Sequence, residues 1–159
     1  MGKNLPAPQE DVSSQVFHCR MCGECCQGKG GIVLGPKDLS RLCAHLRMET
    51  ERFIELYAYR QDGKIKIRTG PDDSCLFFLP GTGCSVHMAK PDICRAWPFF
   101  RGNMVDEGSL SMAKGFCPGI NPMIGHDAFV RAGMRYLAEH RLSASDPAHE
   151  ANALIGILP

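Results

Sequence analysis

Cys19-Arg20-Met21-Cys22-Gly23-Glu24-Cys25-Cys26 places four thiols within eight residues, in the pattern Cys-x-x-Cys-x-x-Cys-Cys. A thiol at every third position lets one irregular turn present its sulfurs to a single concave face, which is how short loops wrap a soft metal centre. Four further cysteines, Cys75, Cys84, Cys94 and Cys117, stand too far apart to chelate alone and are expected to fold back onto the first block. A chain organised in this way predicts an α+β fold: a small, irregular, cysteine-rich metal-binding domain, helix-rich, with short strands and long loops around the thiols.

Outward from the loop, Ile32, Val33 and Leu34 form a short apolar segment that ties it to the core. Gly35 and Pro36 then open a helix with apolar positions Leu39, Leu42, Cys43 and Leu46, and Cys43 on that face behaves as a small hydrophobe. Thr50 is the expected N-cap of a second helix with Phe53, Ile54, Tyr57 and Ala58 on its apolar side. Lys64 to Arg68 alternates as a half-exposed strand. Pro80-Gly81-Thr82-Gly83 is a turn that brings Cys75 and Cys84 together as a hairpin-like platform. Pro91 starts one helical turn carrying Cys94, and Pro98 returns the chain to an extended path. The longest helix is expected over Gly125 to Arg141, and a final helix near Ser145 or Asp146.

A length of 159 residues suits one domain, with residues 1–15 as a flexible N-terminal segment, 16–141 as the metal-binding domain and 142–159 as a tail or short helix. The formal charge of +1 gives no large basic field, so neither nucleic acid nor an acidic membrane is an expected partner. No apolar run in residues 1–15 resembles a signal peptide or a membrane span, and Pro6 stands where a myristoylation signal needs Ser or Thr. The expected location is therefore the cytoplasm. There thiols stay reduced, and cysteines serve metal binding or redox chemistry in preference to a disulfide framework.

The cysteines and their neighbours resemble the YkgJ-type cysteine-cluster family of bacteria and archaea, whose members are associated with zinc or iron chelation. The resemblance is carried by Phe17-His18-Cys19 with Cys22-Gly23-Glu24-Cys25-Cys26, by Ile32 to Leu34 leading into Asp38, by Cys75 to Cys84, and by Pro91 to Phe99 with Cys94-Arg95 and Pro98-Phe99. It departs from the family pattern at Lys90, where Arg is usual, and at Trp97, where Phe is frequent; neither is expected to touch a ligand. The resemblance implies a metal centre and leaves the reaction open. A similar cluster occurs in flagellin lysine-N-methylase, which is associated with an iron-sulfur cluster. This chain has no glycine-rich loop between strand and helix to hold S-adenosylmethionine, and its cysteine spacing is not that of the radical enzymes.

All eight clustered cysteines, Cys19, Cys22, Cys25, Cys26, Cys75, Cys84, Cys94 and Cys117, are candidate metal ligands. A cluster of the four-iron, four-sulfur type often takes three thiolates from a tight loop and one from a remote Cys-Pro, which Cys19, Cys22, Cys25 and Cys117-Pro118 match. Zinc is the alternative, for example on Cys19, Cys22, Cys75 and Cys84, and copper(I) or thiol redox chemistry shares the same soft donors. Adjacent side chains diverge, so Cys25 and Cys26 are not expected to serve one mononuclear ion together. His18 and His87 are expected beside the centre or on the surface. Among Arg20, Arg95 and Arg101, Arg95 is the favoured cofactor-binding residue, offsetting thiolate charge from its place next to Cys94. Trp97, Phe99 and Phe100 could shield the centre or simply pack. The expected role is an iron-sulfur protein for electron transfer or redox sensing, with an unknown protein partner; a zinc-stabilised interaction module or an accessory subunit of a protein-modifying enzyme is the alternative. No catalytic motif stands out.

Overall fold

The computed structural model describes residues 15–26 and 31–158. The expected flexible segment, apart from Gln15, and the glycine-rich turn after the cysteine loop, apart from Gly31, lie outside the described residues. Helix α1 is Pro36–Leu46 and α2 is Thr50–Tyr57, and strand β1 is Val33–Leu34. Pro36 takes the first helical position, where its missing N–H costs nothing, and the Asp38 carboxylate reaches back to accept the Gly35 N–H at 2.8 Å. The N-cap of α2 is Glu49 rather than Thr50. Ala58 does not prolong the helical face; it begins strand β2, Ala58–Gln61, which pairs along all four positions with β3, Lys64–Ile67. Asp62 and Gly63 join them at positive φ, the two-residue turn whose twist matches that of the strands. The three strands form an antiparallel sheet in the order β1-β3-β2.

Strands β4, Phe78–Leu79, and β5, Gly83–Cys84, make the expected second hairpin. Helix α3, Asp92–Ala96, carries Cys94. Two helices that the sequence pattern did not disclose follow it: α4, Arg101–Val105, and α5, Glu107–Phe116. Asp106 caps α5, accepting the Ser109 N–H at 2.7 Å and its hydroxyl at 2.8 Å. Helix α6, His126–Glu139, is the longest. The expected last helix is absent: Asp146 and Glu150 carboxylates satisfy the N–H groups of one turn, Ala151 is extended, and only a short 3-10 turn, Asn152–Leu154, follows. Leu142 and Leu154 nevertheless are buried in the core.

Two apolar clusters result. One joins α1, α2 and the three-stranded sheet through Leu34, Leu42, Phe53, Ile67 and Phe77. The other joins α4, α5 and α6 through Phe99, Met104, Leu110, Phe129 and Leu137. Gly133 on α6 is held to its minimum size, because a Cβ there would lie 2.7 Å from both Phe99 Cδ1 and Met104 Sδ. Cys43 sits buried in the first cluster, as its helical position predicts.

The clusters are stitched by an ionic knot. Arg41 Nη2 donates to Asp38 Oδ1 at 2.8 Å, to Asp92 Oδ1 at 2.9 Å and to the Lys90 carbonyl at 2.9 Å, and the Asp92 N–H donates to Asp38 Oδ1 at 2.8 Å. Asp38 is 5% exposed, and burial pushes its carboxyl up, against the N–H groups of Asp92 and Gly35 and the Arg41 charge. Helix α1 thereby fixes the start of α3. Gly133→Val is expected to lower unfolding stability by about 1–3 kcal/mol through overpacking against Phe99, read as a lower urea midpoint with an unchanged slope.

Candidate metal centre

The first cysteine block is shaped by residues that are not cysteines. Met21 and Gly23 take positive φ, of 52° and 85°, and the Cys26 N–H donates to the Gly23 carbonyl at 2.9 Å to close a 3-10 turn over Glu24–Cys26. A Cβ on Gly23 would lie inside the Phe78 ring of the second hairpin, so glycine is required for both conformation and space. The Met21 N–H points at Cys19 Sγ, 3.4 Å away.

Both ends of this loop are strapped to the second block by backbone hydrogen bonds. At its start, the His18 N–H donates to the Gly119 carbonyl at 2.9 Å, and the Asn121 N–H to the Val16 carbonyl at 2.9 Å, just after Cys117. Gly119 allows this approach, because a Cβ there would stand 2.5 Å from the His18 oxygen. At its end, the Cys75 N–H donates to the Cys26 carbonyl at 2.7 Å. The expected folding of one block onto the other is thus a matter of main-chain pairing.

All eight candidate cysteines line one cavity of about 370 Å³. It lies at the seam of the two apolar clusters: Cys75 belongs to one and Cys117 to the other. Within it Cys25 bears on Cys75, Cys84 and Cys94, and Cys19 bears on Cys84. The neighbouring Cys26 thiol, then burial, push the Cys25 thiol far up. Burial, then Cys75, raise Cys94; burial raises Cys75 and Cys84, with Cys25 adding to both. Such a set resists ionising on its own and gives up its protons when a soft cation replaces them. Among the described residues no group of three or more Cys, His, Asp or Glu side chains is already closed around a single-ion position.

Trp97, Phe100 and Phe116 form an aromatic side of the cavity, with ring centroids 5.1 Å apart for Trp97 and Phe100 and 5.5 Å for Trp97 and Phe116. Phe99 instead packs in the second cluster, 5.0 Å from Phe129. The Trp97 indole N–H donates to Cys117 Sγ at 3.4 Å, so this residue does touch a candidate ligand. Lys90 also departs from expectation. It lines the cavity, and its charge favours the thiolates of Cys25, Cys84 and Cys94. Arg95 is the candidate that the fold does not bring in: it is absent from the cavity wall, and its Nη1 lies 3.7 Å from Asp92 Oδ1 because α3 turns it toward the ionic knot. His18 is exposed and off the wall, whereas His87 is on it. Phe116 escaped the sequence reading because its helix is diluted by Gly108, Ser109, Ser111 and Gly115; the Asp106-x-x-Ser109 cap was its available signal.

No helix among the described residues is long and apolar enough to cross a membrane. No solved structure matches the chain. A family model named CxxCxxCC, described as "Putative zinc- or iron-chelating domain", matches residues 18–118, a span that runs from the residue before Cys19 to the residue after Cys117 and so takes in every thiol of the cavity. The donor set, its confinement to one cavity and this match agree: the chain belongs to the CxxCxxCC family and is a metal-binding cysteine-cluster protein.

Proposed function

We propose that the cavity holds an iron-sulfur cluster and that the protein carries electrons or senses redox state in the cytoplasm, exchanging them with a protein partner. The observation that carries this reading is the meeting, on one cavity wall, of a tight three-thiol loop and a remote Cys117-Pro118 strapped beside it. Cys19, Cys22 and Cys25 would offer the loop ligands, and one or more of Cys75, Cys84, Cys94 and Cys117 would close the set. When bound, such a group supplies one-electron chemistry. The chain's own residues set the rings of Trp97, Phe100 and Phe116 along one side of the cavity, offer the Cys117 sulfur a hydrogen bond from Trp97, and place Lys90 on the same wall as the thiols. Both a drier wall and a donor to sulfur are levers on potential.

The influence of Cys25 on Cys75, Cys84 and Cys94 within one cavity favours a second reading, in which thiols of this group close on zinc and the domain is a structural module. Elemental analysis of protein purified without air separates the two. About four irons per chain with little zinc is expected from the first reading, and one or two zincs without iron would overturn it. Cys22→Ala is expected to abolish metal retention, and Cys43→Ala to leave metal content unchanged; loss of metal in the second variant would contradict the division of the cysteines.

Two further outcomes follow from the cavity. Trp97 is the single tryptophan, so its fluorescence should fall as metal binds and recover on chelation. Thiols held above their ordinary value of 9.0 keep protons that the unfolded chain gives up, so metal-free protein should lose stability as the pH rises past about 9. Metal loading should remove that loss, because the bound thiolates are already deprotonated. Thermal melts of both forms between neutral and alkaline pH check this.

A further inference from the structure

The charges lining the cavity besides the thiols belong to Arg20, Glu24, His87 and Lys90. The first three are exposed, and burial followed by the Lys90 charge pushes His87 toward its neutral form. Lys90 is half-buried, and among the described residues no carboxylate pairs with its ammonium. Its main chain, by contrast, is held on both sides. The Lys90 carbonyl accepts from Arg41 Nη2 at 2.9 Å, its N–H donates to the His87 carbonyl at 3.4 Å, and the next residue, Pro91, is fully buried. A half-buried cation without a carboxylate, fixed at its backbone and facing sulfur, points to an anionic occupant.

We infer that Lys90 is the counter-charge of the thiolate-bound metal centre, and that Arg41, anchored by Asp38 and Asp92, is the positioning residue that delivers it to the cavity. Four thiolates around a dication leave a net negative charge, and the aromatic wall beside them offers little solvent to screen it. The ammonium of Lys90 offsets that charge from inside the cavity without ligating. Arg95, next to Cys94 in sequence, cannot do so because its guanidinium is turned to Asp92. The same reach gives Lys90 its influence on Cys25, Cys84 and Cys94.

This inference rests on the metal-binding reading, and cobalt(II) titration of the metal-free full chain against a chromophoric chelator tests the two separately. The parent chain should bind cobalt and show sulfur-to-cobalt charge-transfer absorption. Lys90→Met and Lys90→Gln should bind it about 10–100-fold more weakly, with the charge-transfer intensity per bound cobalt unchanged because no ligand has been lost. Lys90→Arg should restore affinity to within about threefold, since it keeps the charge. Arg41→Met should weaken binding in the parent, and part of that loss should vanish in the Lys90→Met background, the rest coming from the opened ionic knot; an undiminished loss there would overturn the role of Arg41 in placing Lys90. Parent-like affinity in both neutral variants, or a reduced charge-transfer band in them, would overturn the counter-charge role while leaving the metal site standing. Failure of the parent chain to bind cobalt, zinc or iron at all would overturn both readings.

Discussion

Eight thiols share one cavity wall at the line where two apolar clusters meet, and the remainder of the structure is arranged around that fact. Sulfur buried among aromatic and aliphatic side chains is comfortable as a thiol and costly as a thiolate. The raised thiols among them therefore hold their protons until a cation arrives, and then exchange them for metal–sulfur bonds. Because Cys75 belongs to one cluster and Cys117 to the other, the same bonds would join the two halves of the domain, so that metal affinity becomes folding free energy.

The protein part of that junction is built from main-chain hydrogen bonds and close approaches rather than from bulk. Gly23 lies under the Phe78 ring and Gly119 against the His18 carbonyl, positions where one methyl group would push the cysteine loop away from the second block. A single buried carboxylate, Asp38, caps the first helix and receives both the Asp92 N–H and the Arg41 guanidinium. It links a local event, the start of α1, to a distant one, the placement of Cys94. Breaking one partner of such a buried knot leaves the others unsatisfied, which costs more than the net value of the pair itself.

Much of the local structure was legible in the residues. Pro36 and the Leu39, Leu42, Cys43, Leu46 stripe marked α1, the Pro80 to Gly83 run marked the second hairpin, and Phe129, Ala132, Gly133 and Leu137 marked α6. What escaped had weak periodicity or a signal shorter than the window used to find it. Helix α5 carries two glycines and two serines, and its beginning is announced only by the Asp106 side chain. The turn at Asp62-Gly63, two residues at positive φ, ended α2 one residue before its apolar stripe did, because pairing four residues of β2 with β3 outweighs one more helical position for Ala58.

The sequence by itself determined the donors and their grouping: which eight thiols are chemically able to gather, and that Cys43 belongs to a helix face. Spacing along the chain carries that information because loop chelation is a local property of a few bonds. Which charge shares the cavity with the thiols, which ring donates to sulfur and which rings line the wall were decided only by the tertiary structure. Arg95 adjoins Cys94 and Lys90 stands four residues before it, yet Lys90, ahead of α3, lines the cavity while α3 turns Arg95 toward Asp92. Electrostatic partnership depends on distance through space, and folding brings Lys90, Trp97 and Cys117 to the wall of one cavity from separate stretches of the chain.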